Sequence, residues 1–236
     1  MLNKKLSHRV PFSIVLSGLL TIIGCSGTKI MTMTTENSEV MIFVAGSGKF
    51  TIDWGDGTTK NGTLLVFGKD TDIDDIYHTY ICKSSRTITI TSKNITHFAC
   101  FESGLTSLDV SEISTLTWLF CDDNQLMCLD VSKNAALEYF GCSVNQLTSL
   151  DVSKNFALKD LACSNNQLTS LDVSKNTILT RLWCHDNQLD VNALNNLFKT
   201  LPNIANGYIS IDDNHGTDSC DRSIATNKGW RFGVKK

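Results

Sequence analysis

Nine cysteines stand in a chain of 236 residues, and five of them, Cys100, Cys121, Cys142, Cys163 and Cys184, are spaced 21 apart. Thiols in that number have two chemistries open to them, metal binding and disulfide pairing. A zinc or iron–sulfur site needs thiolates converging on one point, with spacings such as C-x-x-C, and a disulfide needs Cβ atoms about 3.8 Å apart. A constant spacing puts one thiol in each unit of a repeated structure and lines them up along strands that lie about 4.8 Å apart. The ladder therefore reads as free thiols packed as small apolar side chains, with no metal and no cofactor. Cys82, Cys128 and Cys220 lie off the ladder, and their spacing assigns no pairing.

Three other groups invite a chemical reading. Ala45-Gly46-Ser47-Gly48-Lys49 has the look of a phosphate-binding loop, but Phe43 stands where the first glycine belongs and Phe50 where Ser or Thr must follow the lysine. It reads as the turn of a hairpin. Asp70, Asp72, Asp74 and Asp75 fit a calcium loop poorly, with Asp75 in the glycine position and Ile81 in place of the closing glutamate, and read as a solvated acidic loop. His78 with Asp56 lacks a nucleophile and a third partner, so it reads as a structural pair. No catalytic residue and no glycosidase carboxylate pair can be assigned, and the chain reads as a non-enzyme.

The ladder steps back to a framework. In register with the cysteines run Leu116, Leu119, Asn124 and Leu126, then Leu137, Phe140, Asn145 and Leu147, with two more copies that carry Asn166 and Asn187 and end on Leu168 and Leu189. The pattern L-x-x-L-x-C-x-x-N-Q-L-T-S-L-D-V-S-K-N resembles the leucine-rich repeat, with cysteine in place of one strand leucine. A first copy, Ile95 to Leu105, carries Ser103 where the others have asparagine, and Ile209 to Asn214 keeps only a strand and its asparagine. Leu119 and Cys121 share one side of a strand, and Trp118, Phe120 and Asp122 the other. The asparagines should close the turn after each strand by supplying donors and acceptors. The Leu-Asp-Val triplets from Leu108 to Val173 should form a second short strand with aspartate facing water.

The expected fold is a β-rich solenoid of the α/β leucine-rich-repeat class with a cap at each end. Lys4, Lys5 and Arg9 precede an apolar run to Ile23, then Gly24-Cys25, which resembles a lipobox and marks Cys25 for lipidation. Residues 1–24 are then a signal peptide and 25–38 a tether. Val40 to Trp54 reads as a hairpin turning at Gly46-Ser47-Gly48, and Arg86 to Thr91 as a third strand. Trp54-Gly55-Asp56-Gly57, with His78-Thr79-Tyr80, resembles the PKD-type β-sandwich, which makes 39–94 a PKD-like β cap. Residues 95–189 are the repeats, and 190–236 a C-terminal cap with a helix through Val191, Leu194, Leu197, Phe198 and Leu201 and one degenerate repeat strand.

Without residues 1–24 the chain carries 18 basic against 24 acidic side chains, which argues against nucleic acid and a polybasic membrane face. Information must therefore lie in the outward strand positions. Three columns of six read His97, Trp118, Tyr139, Asp160, Arg181, Tyr208; then Ala99, Phe120, Gly141, Ala162, Trp183, Ser210; then Phe101, Asp122, Ser143, Ser164, His185, Asp212. Six of the eighteen are aromatic, where solvent-facing strands ordinarily carry Thr, Lys, Glu or Ser, so the face is expected to bind. Phe101, Trp118, Phe120, Tyr139, Asp160, Arg181, Trp183 and Tyr208 are its candidate residues, as two aromatic ridges flanking a trough.

The whole chain resembles leucine-rich-repeat lipoproteins of Bacteroidetes-type bacteria. That resemblance implies a lipid-anchored envelope protein, most simply at the outer membrane, acting in adhesion or cell contact. Ser26-Gly27-Thr28-Lys29 lacks the acidic residues of the displayed members, so the surface and the periplasmic face both remain open. The expected partner is a protein or peptide, with a glycan as the alternative and a ligand-free structural role as a third reading. A face of about 400 Å² is small beside the ~800 Å² per partner of a standard protein interface. A tight protein complex would need a further contributing surface.

Overall fold

The computed structural model describes residues 27–67 and 75–233. The signal segment, Cys25, and Asp70, Asp72 and Asp74 lie outside the described residues.

Alternation sets the first half. Lys29–Thr35 (β1), Glu39–Asp53 (β2), Thr59–Leu64 (β3), Ile76–Thr79 (β4) and Arg86–Ala99 (β5) form antiparallel pairs, with β5 between β1 and β2. Met31, Met33, Ile88 and Ile90 fall on the buried face of these strands and are fully enclosed. Leu105–Asp109 (β6) pairs with β1 on its other side, Met33 opposite Leu108.

The expected tether is thus wrong from Lys29 onward. Met31 and Met33 alternate with threonines, a period-two pattern that buries one side of the segment, and β1 fills the space between β5 and β6. Nor is there a hairpin at Gly46–Gly48. β2 runs straight through, because β5 is long enough to pair with both of its halves, and the glycines make two register shifts. Gly46 must be glycine, since a Cβ there would lie 2.0 Å from the carbonyl oxygen of Asn94. Lys49 is accordingly a strand residue. The expected boundary between 94 and 95 falls inside β5, whose last residues are already the first repeat strand.

From there each copy adds one three-residue strand to a parallel ladder: Trp118–Phe120 (β7), Tyr139–Gly141 (β8), Asp160–Ala162 (β9) and Arg181–Trp183 (β10). Pairing is in register, with His97, Trp118, Tyr139, Asp160 and Arg181 side by side. The helix Val191–Thr200 (α1) forms where expected; the Asp190 carboxylate caps it by accepting from Ala193 N at 2.7 Å. Gly207–Ser210 (β11) continues the parallel ladder. The short helix Ser223–Thr226 (α2) then leads into Trp230–Phe232 (β12), a further parallel strand where the tail was expected only to fold over.

The result is a β-rich chain with one long mixed sheet, few helices, and one apolar core running from Met31 to Trp230. The Leu-Asp-Val triplets do not repeat as strands. Only β6 is regular, because β1 pairs with it; in later copies that wall is held by single bonds such as Gln146 N to Leu126 O at 2.9 Å. Its aspartates face water and turn back to the chain, as Asp130 does in accepting from Ser132 N at 2.8 Å.

Two asparagine columns hold the copies in register. Asn145 accepts from Leu126 N at 3.0 Å and donates to the carbonyls of Cys121, Cys142 and Ser143, and Asn124, Asn166 and Asn187 repeat the arrangement. Ser103 replaces it in the first copy by bonding Met41 of β2, and so ties that turn to the N-terminal strands. The second column, Asn134, Asn155 and Asn176, was not singled out from the sequence. Each is fully buried and donates to two carbonyls of the copy before it, as Asn155 does to Val131 and Asn134.

Candidate functional site

Strand pleating decides which side chains are presented. Leu119 and Cys121 point inward and are fully buried, while Trp118, Phe120 and Asp122 between them are half-exposed. The eight candidate residues share this outward side, but unequally: Arg181 is exposed, Asp160 is buried, and the six aromatics are half-buried.

The N-terminal ridge is a packed row of rings. Trp118 stands 4.5 Å from Phe120, and Phe120 lies 6.5 Å from Phe101. On its other side Trp118 meets His97 at 5.8 Å, Phe43 of β2 at 6.3 Å and Phe67, beyond β3, at 5.4 Å. Sequence reasoning missed Phe43 and Phe67. The signal available was the exposed-looking run Leu65-Val66-Phe67 before the acidic loop, which a soluble hairpin edge does not ordinarily carry.

The trough is shallower than the small residues promise. Gly141 is buried because the Phe120 ring and the Asp122 carboxylate lie over it; a Cβ there would be 2.5 Å from Phe120 Cδ1 and 2.8 Å from Asp122 Oδ2. Asp122 Oδ1 accepts from Ser143 N at 2.7 Å, yet burial dominates and pushes its carboxyl up to about 6. Beyond the trough Arg181 donates to Asp160 through Nε at 2.8 Å and through Nη2, with its guanidinium 5.8 Å from the Trp183 ring. Trp183 and Tyr208 are 5.6 Å apart. Tyr208 lies against Gly233, where a Cβ would come within 2.2 Å of the phenol ring.

His78 and the ladder cysteines are held by protein neighbours. His78 Nε2 is 2.8 Å from Asp56 Oδ2, its ring is stacked on Trp54 at 4.4 Å, and Tyr80 meets it edge-on at 4.5 Å. The Thr58 hydroxyl, ahead of His78, holds the Asp56 carboxyl down to about 2. Among the described residues the cysteines are free thiols, and the five of the ladder are fully enclosed. Burial pushes Cys100 and Cys163 up to about 12 and the other three well above the ordinary thiol range, so the ladder is protonated at neutral pH.

No family model matches the chain, and no curated protein matches it. Among solved structures it is similar to the functional domain of InlJ from Listeria monocytogenes, described as including a cysteine ladder, at 31% identity and a TM-score of 0.37. The match covers 56% of this chain and 37% of that one, so the chain spans little more than a third of that structure's length.

Proposed function

We propose that the protein is a non-catalytic binding protein that takes a protein or peptide partner on the aromatic strand face, in adhesion or cell contact. The observation that carries this reading is the continuous row of partly exposed rings through Trp118 and Phe120, with Trp183 and Tyr208 beyond the trough. Aromatic side chains on an outward sheet surface give contact area at low entropic cost and recur as binding hot spots. Phe101, Tyr139, Asp160 and Arg181 complete the surface. The in-register parallel strands every 21 residues support reading the chain as a short leucine-rich-repeat solenoid, with the N-terminal strands and the α1-to-β12 segment as its caps. Lipidation at Cys25 would anchor it to the envelope at the outer membrane. With β1 starting at Lys29, four residues then span at most ~14 Å, which holds the N-terminal strands close to the bilayer.

Replacing Trp118 and Trp183 together by alanine is expected to abolish binding to cells while the thermal transition persists; unchanged cell binding rejects the reading. Cys25→Ser is expected to abolish incorporation of labelled palmitate. The Trp183–Tyr208 pair beside the Arg181–Asp160 ion pair favours a glycan as the second reading, and free sugar would then compete the binding away.

A further inference from the structure

The exposed aromatic surface crosses from the repeat copies onto the N-terminal strands. Phe67 is 48% exposed, stacks on His97 at 4.5 Å with the planes 25° apart, and faces Trp118. Leu65, 39% exposed, precedes it on the same stretch of chain. The row Phe67, Trp118, Phe120, Phe101 is therefore one surface built by two parts of the molecule.

At the far end of that row the charge is of one sign. Asp122 Oδ2 lies over Gly141 beside the Phe120 ring, and Asp123 and Glu102 occupy equivalent turn positions of neighbouring copies. Their mutual repulsion is felt: after burial, Glu102 is what raises the Asp123 carboxyl, and Asp123 contributes to raising Asp122. Among the described residues the four ion pairs within 4 Å leave these three carboxylates out. A neutral sugar would leave that charge uncompensated, and a polyanion would be repelled.

The geometry points to a partner polypeptide segment in extended conformation, with an aromatic or aliphatic side chain seated on Phe67, Trp118 and Phe120 and a lysine or arginine about four residues away seated on Asp122, Asp123 and Glu102. The spacing follows from the strand: Trp118 and Asp122 are four residues apart, ~13 Å at the extended rise, and an extended partner advances at the same rate. This rests on the strand face being the binding surface and specifies what it selects. The Phe67 side adds area that the repeat face lacks.

The test is selection of displayed random dodecapeptides on the purified full chain, read by sequencing. Expected is enrichment of an apolar residue and a lysine or arginine about four apart, with recovery falling at least tenfold on Phe67→Ser. A Glu102→Gln, Asp122→Asn, Asp123→Asn triple variant should keep the apolar preference and lose the basic one. The dissociation constant of the best peptide, by anisotropy, should rise several-fold between 50 and 500 mM salt, as screening of one basic side chain against these carboxylates requires. Thermal melts confirm that the variants remain folded. Enrichment of acidic or unpaired sequences, no enrichment, or recovery indifferent to both variants overturns the inference. If enrichment ignores Phe67 and the carboxylates but is lost with the Trp118 and Trp183 double variant, the strand face still binds and only this specificity fails. If the double variant also keeps it, both fail.

Discussion

Arg181 closes a two-point ion pair on Asp160, its direct neighbour on the adjacent parallel strand. The two partners are unequally wet: the arginine side chain is 53% exposed and the aspartate side chain 12%. Removing the arginine strands a nearly buried carboxylate, whereas removing the aspartate leaves a guanidinium that water can solvate. Arg181→Ala should therefore cost more stability than Asp160→Asn, about 2 against about 1 kcal/mol. Urea unfolding of both single variants and the double variant measures it, and equal costs would mean that the asymmetry in solvation has no weight.

Asp122 should make stability fall as pH rises. Its folded carboxyl is raised to about 6, chiefly by burial, so the native state holds the proton more tightly than the unfolded chain. The unfolded chain gives it up near pH 4, so this contribution is fully present below that pH and is lost by about pH 6, on the order of 2–3 kcal/mol. Asp122→Asn cannot ionise and should flatten that part of the profile. The difference between wild type and variant in urea midpoints at pH 4 and pH 7 isolates the effect.

β1 should be required for the fold. Met31 and Met33 are fully buried between β5 and β6, so Met33→Ala should cost about 2–4 kcal/mol. Deleting residues 27–36 should expose the apolar sides of β5 and β6 and give a protein that binds a hydrophobic dye. A deletion variant with an unchanged melting transition would show that the segment is dispensable.

The thiols should divide sharply in reactivity. Treated with maleimide at neutral pH, the native protein should be modified quickly at Cys82 and Cys128, which are exposed, and slowly at Cys220. The ladder cysteines should react only in guanidinium. Mass spectrometry after a short pulse reads this directly, and native labelling of Cys142 would mean that the stack opens.

The parallel half of the fold was legible because it repeats. Four copies in one chain show which positions are framework, and the side-chain period of two on a strand then assigns Leu119 inward and Trp118 outward without reference to any partner. The helical spacing of Val191, Leu194, Leu197, Phe198 and Leu201 marked α1 for the same kind of reason, a local rule. The N-terminal half repeats nothing. Its β1 has only two methionines to mark its buried face, and the strand partners that bury them, β5 and β6, lie more than fifty residues away. Gly46-Ser47-Gly48 serves equally for a turn or for two bulges, and the length of β5 decides between them. Within the candidate site, the alignment of Trp118 with Tyr139 follows from the period, but Phe67, beyond the β2–β3 hairpin, meets Trp118 through the long-range pairing of β2 with β5, which no local pattern encodes.

The placement of β1 also fixes an order of events. Its two neighbours in the sheet end at Ala99 and begin at Leu105, so β1 has no complete pairing until the chain has grown past residue 109. A strand that must wait for a distant partner closes late, because the entropy of the intervening loop is lost before any contact compensates it. Met31 and Met33 are therefore expected to lack their partners until Asp109 is present, a point that precedes the parallel strands β7 to β10 in the chain.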